Sequence, residues 1–561
     1  MRNITSHFST KETPQSQPIP GTKQVENSAG GFTWAVDKWT RLNRFLILGA
    51  EGGSYYAAER KLTADNAKSA LDCIQEDGVR VVRTIVEVSD QGRAPKNDPA
   101  IFLLAMCAKL GNPETIREAY LALPKVCRIG THLFQWATAI EAFGGFASGT
   151  QRAITRWYLE PRQVVMPADP DEDGPINKTL SDEERAQATT DIQNSHVRWL
   201  ALQAVKYQAR EGWSHRDMIN LARMGSRWNK AGDQNRTPEV NAVLDWITGK
   251  VTYVDGAWHR MEKYLADPSN PRTEKWKVGA VHEDSDRIPG LITGFEKAKA
   301  VGNAGDVSKA HTKEIVGLIN EFGLPREAIP TAYLNEVEVW AALLDNRGYG
   351  MPMTAMIRNL PKMTSIGLLK PMSSEVGLVL KALGNRDTIK RARVHPLSVL
   401  VALNTYKGGQ GIRGSLTWSP VSQIVDALDK AFYLSFDAVE PTGKRHLLAL
   451  DISGSMGSPN LANLPGITPR IGSAAMALVT AAVEPQHHIV GFTCQDGSTS
   501  WNYGRKAPAG LNQFWSAPSG SKCGQWGGSA SGLSVLDISP RQRLDDVVNY
   551  VGSLPMGGTD C

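Results

Sequence analysis

The chain has 561 residues, 41% of them apolar and 7% aromatic, with 62 basic against 57 acidic side chains and a formal charge of +5. That length is too great for one ordinary core and predicts two or more domains, and the composition excludes a wholly disordered chain. The charge excess is too mild to name a partner without a local patch. The longest apolar run, residues 471–483, is shorter than the roughly 20 residues a membrane span requires. Residues 1–21 carry Pro14, Pro18 and Pro20 and no apolar segment of a secretory signal, so they read as a loose tail. Six cysteines (Cys73, Cys107, Cys127, Cys494, Cys523 and Cys561) sit at no zinc-binding or CxxC spacing. They read as reduced thiols of a soluble, cytoplasmic protein.

From residue 34 to about 439 the pattern reads as helical. Segments 66–77, 99–110, 113–122 and 195–210 carry apolar residues at three- and four-residue spacing. Gly78, Gly92, Gly111-Asn112-Pro113 and Gly212 punctuate them. Helix pairs joined by short turns predict an α-solenoid, in which each pair buries a face against its neighbours. Residues 161–184, rich in Pro, Asp and Glu, read as an exposed insertion loop.

The segment 195–236 is strongly basic. Lys206 and Arg210 are four apart, which predicts one helix face. Beyond Gly212-Trp213, residues Arg216, Arg223, Arg227 and Lys230 predict a second cationic stripe, with His215 at the junction. Such stripes attract phosphate backbones, and neighbouring aromatic side chains stack exposed bases. From the residues alone, a solvated helix face is the competing reading.

From Lys444 the pattern changes to alternating strand and helix, predicting a parallel α/β sheet. The apolar run Leu447-Leu448-Ala449-Leu450 empties into Asp451-Ile452-Ser453-Gly454-Ser455. One carboxylate and two hydroxyls on a tight loop are hard donors suited to Mg²⁺. Gly557-Gly558-Thr559-Asp560 forms a second oxygen-bearing loop. Ligands of such sheets sit at the carboxyl ends of the strands. Residues 496–534, dominated by Gly, Ser and Trp, read as one long irregular loop.

Several stretches, taken together, resemble the Ro 60-kDa autoantigen family, in which a TROVE module precedes a von Willebrand factor A domain. They include Leu42-Asn43-Arg44-Phe45-Leu46, Gly49-Ala50-Glu51-Gly52-Gly53-Ser54-Tyr55-Tyr56 and Val126-Cys127-Arg128-Ile129-Gly130-Thr131-His132-Leu133-Phe134. Others are Gly212-Trp213-Ser214-His215, Arg358-Asn359-Leu360, His395-Pro396-Leu397, Thr405-Tyr406-Lys407 and Val439-Glu440-Pro441-Thr442-Gly443-Lys444-Arg445. The resemblance implies a monomeric ring of HEAT-like helical repeats over residues 22–440, closed by an α/β A domain over 441–561. It implies binding of small noncoding Y RNAs on the outer surface and of the 3′ ends of misfolded RNAs in the central hole. The implied role is RNA quality control without catalysis, with an exoribonuclease tethered through RNA in bacterial relatives. The family's RNA-contacting positions fall on Lys206 and Arg210, and a third, histidine in the family, falls on Arg223. An arginine there keeps the charge. The resemblance also makes Asp451, Ser453, Ser455 and Thr559 a metal-ion-dependent adhesion site for Mg²⁺.

Rival readings are weaker. A phosphoryl hydrolase using Asp451 as nucleophile needs an acid two residues on, where Ser453 stands. Ser455 lacks the glycine two residues upstream that a serine-hydrolase elbow requires. A protein-interaction scaffold gripping a partner's carboxylate through the A domain is the remaining alternative. The family pattern expects a further Asp on a later loop, which predicts that this A domain is truncated and its metal site incomplete.

Overall fold

The computed structural model describes residues 17–26 (except 19), 32–49, 67–161, 182–224, 236–266, 274–345, 351–457 (except 413 and 440), 461, 466–494, 513–516 and 531–553 (except 537 and 540). Most of the tail and of the 161–184 segment, Arg227, Lys230, Thr559 and most of 496–534 therefore lie outside the described residues.

After a short pair of strands (β1, Gln24–Glu26; β2, Phe32–Trp34), helices dominate. They are α1 (Lys38–Leu48), α2 (Lys68–Asp90), α3 (Asp98–Leu110), α4 (Pro113–Val126), α5 (Gly130–Ala142), α6 (Ser148–Leu159) and α7 (Asp182–Lys206). A hairpin (β3, Ala209–Arg210; β4, Trp213–Ser214) leads to α8 (His215–Leu221) and α9 (Pro238–Thr248). A three-stranded sheet follows: β5 (Val251–Val254), β6 (Ala257–Leu265) and β7 (Glu274–Val281). The array then continues through α10 (Gly290–Asn303), α11 (Lys309–Phe322), α12 (Val337–Asp345), α13 (Met353–Ser365), α14 (Ser374–Leu383), α15 (Arg386–Arg391), α16 (Pro396–Lys407) and α17 (Ser422–Leu434).

The same local grammar sets many of these boundaries. Asp37, Asn112, Thr237, Ser308, Ser373 and Asn385 each accept a backbone N–H from the first turn of the helix they precede. Such a cap contributes about 1 kcal/mol. Pro113, Pro238 and Pro396 occupy first-turn positions, where a missing N–H costs nothing. Gly49, Gly249 and Gly323 end helices in the left-handed conformation.

Neighbouring helices pack in sequence, α2 on α3 and α4, α3 on α5, α4 on α6, and so on to α16 on α17. This is the expected helical-repeat architecture. The row then returns to its start. Arg393, between α15 and α16, donates from Nη2 to Oδ1 of Asp90 at 2.5 Å and from Nε to the Asp90 carbonyl, at the end of α2. The helical array therefore closes as a ring. Gly92 makes the seam possible: its φ is +67°, and a Cβ there would stand 2.8 Å from the Cβ of Arg393.

The break read at Gly78 is present as a kink: Asp77 leaves helical geometry (φ −150°, ψ 77°), and a second helical segment follows at once within α2. Gly78 is where the helix presses on the Thr115 side chain, leaving no room for a Cβ. One expectation for the helical region needs correction: it is not helical throughout. β5, β6 and β7, residues 251–265 and 274–281, form an antiparallel sheet whose first turn is Asp255-Gly256, with φ +50° and +82°. Asp-Gly between apolar alternating runs is a strong two-residue hairpin signal, overlooked beside the surrounding helical periodicity.

In the C-terminal domain, β8 (His446–Asp451) and β9 (His487–Cys494) pair in parallel, joined through α18 (Pro469–Val483). β11 (Ser531–Val535) is antiparallel to β9, and β10 (Gln513–Ser516) is antiparallel to β11, giving the order β10-β11-β9-β8. The sheet is thus mixed rather than parallel, and the 496–534 stretch contains strand. Its Gly and Ser content hides the alternation of Leu533 and Val535. α19 (Leu544–Ser553) packs on α18. The domain docks on α16 and α17: Lys407 pairs with Asp545 at 2.9 Å, Asn404 donates to the Gly466 carbonyl at 3.0 Å, and the Leu544 N–H donates to Tyr433 Oη at 2.6 Å. Among the described residues no helix is long and apolar enough to cross a membrane.

The seam generates a prediction. Gly92→Val forces a β-branched residue into the left-handed region against Arg393, so local opening should become easier by about 2 kcal/mol. Amide exchange at residues 88–93 and 393–396 should accelerate about 30-fold, while α7–α9 stay unchanged. Wild-type exchange at both segments would show that they do not depend on each other.

Candidate nucleic-acid interface and metal loop

The basic segment is organised by a buried polar knot beneath it. His215, 3% exposed, is wedged between Phe134, Trp157 and Tyr158. Its Nε2 is 3.2 Å from the Gln203 carbonyl, which can only accept, so Nε2 carries the hydrogen. Nδ1 then accepts from Tyr158 Oη at 2.6 Å. The Gln203 side-chain oxygen accepts the Gly130 N–H at 3.0 Å. A Cβ at Gly130 would lie 2.8 Å from His215 Nε2 and 3.0 Å from Tyr207 Cβ, so glycine is required there by the approach of the backbone. The knot ties α5, α6, α7 and α8 together.

Above it the chain reverses in two residues. Glu211 (φ +54°) and Gly212 (φ +80°) have the positive φ values of a type I′ turn, pairing Arg210 with Trp213. Ser214 then caps α8 in a reciprocal box with Asp217: Ser214 Oγ accepts the Asp217 N–H at 3.2 Å, and Asp217 Oδ2 accepts the Ser214 N–H at 2.8 Å. This occupies the Asp217 carboxylate.

The sequence-predicted residues fall into three groups. Arg210, Arg216 and Arg223 are exposed on this hairpin-and-helix unit. Arg216 donates to the Thr248 carbonyl at 2.7 Å, which orients the guanidinium without neutralising it. Among the described residues none of the three is paired with a carboxylate. Lys206 ends α7 with its side chain 16% exposed and its Nζ 3.8 Å from Glu327, so its charge is partly compensated. His215 faces the core and is unable to meet RNA directly. Arg227 and Lys230 lie outside the described residues.

The stripe geometry is corrected too. α7 stops at Lys206 and Arg210 belongs to a strand, because Glu211-Gly212 favours the tight turn over another helical turn. α8 is only seven residues long, and Arg223 lies beyond it at φ +52°. Arg210 is placed by a tight turn, Arg216 by a capped short helix and Arg223 beyond it, rather than along one helix face. What sequence reasoning missed is the antiparallel sheet beside them, whose hairpin signal was Asp255-Gly256.

In the second domain β8 delivers Asp451 to the carboxyl edge of the sheet. Asp451 Oδ1 accepts the Ser453 N–H at 2.9 Å, which fixes the loop. Ser453 Oγ and Ser455 Oγ lie 3.0 Å apart. Octahedral Mg²⁺, with ligands at about 2.0–2.1 Å, needs adjacent oxygens about 2.9 Å apart, so this pair fits two neighbouring positions. Among the described residues no cluster of three or more His, Cys, Asp or Glu side chains offers an alternative metal site.

The His215 knot has a pH signature. Burial pushes the imidazole pKa down to about 4, outweighing the hydrogen bond to the Gln203 carbonyl. The unfolded chain protonates near 6.5, so the stabilisation from keeping His215 neutral is intact above that pH. It should be lost progressively as pH falls to about 4, by about 3 kcal/mol in all. Acid should therefore loosen α5–α8, read as faster amide exchange there. His215→Gln should flatten that pH dependence; retention of the full dependence would assign it to other groups.

Comparison with known proteins places the chain. The family model for the TROVE domain matches residues 25–316 and 323–407, and that for the Ro60 vWA domain matches 445–561. The RNA-binding protein RO60 of Deinococcus radiodurans is 31% identical over 563 aligned residues, covering 100% of this chain and 83% of the relative. RNA-binding protein RO60 of Caenorhabditis elegans is 31% identical over 597, covering 98% and 78%. A crystal structure of the Deinococcus radiodurans RO (RSR) protein superimposes with a TM-score of 0.59 at 31% identity, covering 94% of this chain and 82% of that one. The helical ring, the A domain and these matches together show that the chain belongs to the Ro60 family of TROVE and vWA domain proteins.

Proposed function

We propose that this protein is the RNA-binding component of a cytoplasmic ribonucleoprotein, taking small structured noncoding RNAs and the 3′ ends of misfolded RNAs in RNA quality control. The observation that carries the reading is the exposure of Arg210, Arg216 and Arg223 on one hairpin-and-helix unit, uncompensated by carboxylates among the described residues. Exposed guanidinium groups suit phosphate through paired N–H donors. Lys206 supports it from the end of α7. The two RO60 relatives are named as RNA-binding proteins, which supports binding rather than catalysis as the activity. An exoribonuclease brought to the same RNA would supply the chemistry that such a component lacks.

The A domain adds a second element in this reading. Ser453 and Ser455 would ligate Mg²⁺ directly, with Asp451 acting largely through ordered water, and Thr559 is the proposed fourth contributor. The bound ion would present positive charge to an acidic group of a partner.

Two measurements test these readings. RNA binding should weaken steeply with salt, and Arg210→Gln or Arg223→Gln should lower affinity across unrelated structured RNAs. Each lost duplex phosphate contact should reduce the log–log salt slope by about 0.9. Wild-type affinity and slope in both variants would count against the interface. Separately, Mg²⁺ should raise the A-domain unfolding midpoint in the wild type and not in Asp451→Asn, with RNA affinity equal in both; an equal Mg²⁺ shift would remove the ion from this loop.

A further inference from the structure

The sheet β5-β6-β7 reaches beyond the helices that carry it. Near the ring, Trp258 is buried, with Nε1 3.3 Å from Thr293 Oγ1 of α10. Farther out, Lys263 and Tyr264 on β6 and Lys275, Trp276, Lys277 and Val278 on β7 are all exposed. Trp276 and Val278 are each 48% exposed and Val281 60%. An antiparallel sheet ordinarily solvates one face and buries the other; here both faces of the outer part meet solvent.

The register gives this surface a pattern. Trp276 stands opposite Lys263, whose ammonium lies 5.0 Å from the ring centroid, and on the next rung Tyr264 stands opposite Lys275. Each exposed aromatic thus has a lysine as its cross-strand partner. An aromatic face offers a stacking surface to any base, and an adjacent ammonium meets the phosphate that follows it. The sheet is also continuous with the arginine cluster. Arg216 is bonded at Thr248, two residues before Lys250, and β5 starts at Val251, paired in register with Arg260, whose guanidinium lies 3.8 Å from Asp284. A protein strand adding to β7 is disfavoured by Lys275 and Lys277, which blunt an edge.

We propose that the outer part of this sheet is a stacking platform for single-stranded RNA, with Trp276 as the base-stacking side chain and Lys263 as its phosphate-facing neighbour. The inference rests on the RNA-binding reading above and extends it to unpaired nucleotides beside a structured RNA held at Arg210, Arg216 and Arg223.

The test is anisotropy of a fluorescein-labelled 12-nucleotide oligouridylate with the full chain. Trp276→Ala should weaken binding about 5- to 150-fold, the loss of one stacked base, with an unchanged salt slope because no charge is removed. Trp276→Phe, which keeps a π face, should restore most of the affinity. Lys263→Gln should lower the slope by about 0.7. Wild-type oligouridylate binding by folded Trp276→Ala overturns the platform and leaves the face to a protein partner. In that case continued binding of structured RNA, weakened in Arg210→Gln, keeps the broader reading intact. Absence of any RNA binding by the wild-type chain overturns both.

Discussion

A row of helices becomes a ring only where its last members meet its first, and here that meeting rests on the turn after α2. Arg393 reaches Asp90 through both its side chain and its carbonyl, and Gly92 lets the two backbones approach. Arg128 stands at the same place, bonded to Ser89 and to the Lys125 carbonyl at 3.0 Å each. Burial and then the nearby Arg393 guanidinium push its pKa down. Arg128, Arg393 and Asp90 thus meet at the seam, beside the Arg93–Glu87 ion pair at 3.2 Å. The A domain docks on α16 and α17, and α16 begins three residues beyond Arg393. The second domain thus docks on the helix that follows the seam directly in the chain.

Away from the seam, charge and polarity are sorted by burial. The α5–α8 junction is polar, but its histidine is neutral and its hydrogen bonds run to groups that carry no charge. Such a knot is rigid without the desolvation penalty of buried ions. The arginines it supports remain in water, where their charge is available to a polyanion. At the domain junction, the buried Glu484 accepts backbone N–H groups from Thr442 and Gly443 at 2.6 and 3.1 Å. Those bonds, Thr442 first, hold its carboxyl below the usual range.

Much of this was legible in the sequence. The start of α4 announced itself through Gly111-Asn112-Pro113, and the change of architecture after Lys444 through the apolar run into Asp451. The failures have physical causes. Arg210 reads as helical by spacing, but Glu211-Gly212 permits a tighter reversal, and local turn chemistry won. His215 sits in a basic segment, yet its partners Tyr158, Gln203 and Phe134 come from three other helices, which no spacing rule brings together. The break at Asp77-Gly78 was legible, but the close packing of Gly78 on Thr115 is a tertiary fact that no local pattern shows. The β5–β7 sheet had its Asp255-Gly256 signal and was missed because the flanking segments are so strongly helical.

The central claim is that RNA lies along one continuous surface, from the arginines of the β3–β4 hairpin and α8 to the outer part of the β5–β7 sheet. Ultraviolet crosslinking of RNA to the full chain, followed by mass spectrometry of the crosslinked peptides, addresses it directly. The account predicts crosslinks concentrated in residues 206–224 and 260–281. Crosslinks confined to the A domain, or spread evenly over the ring with none in those two segments, would contradict it.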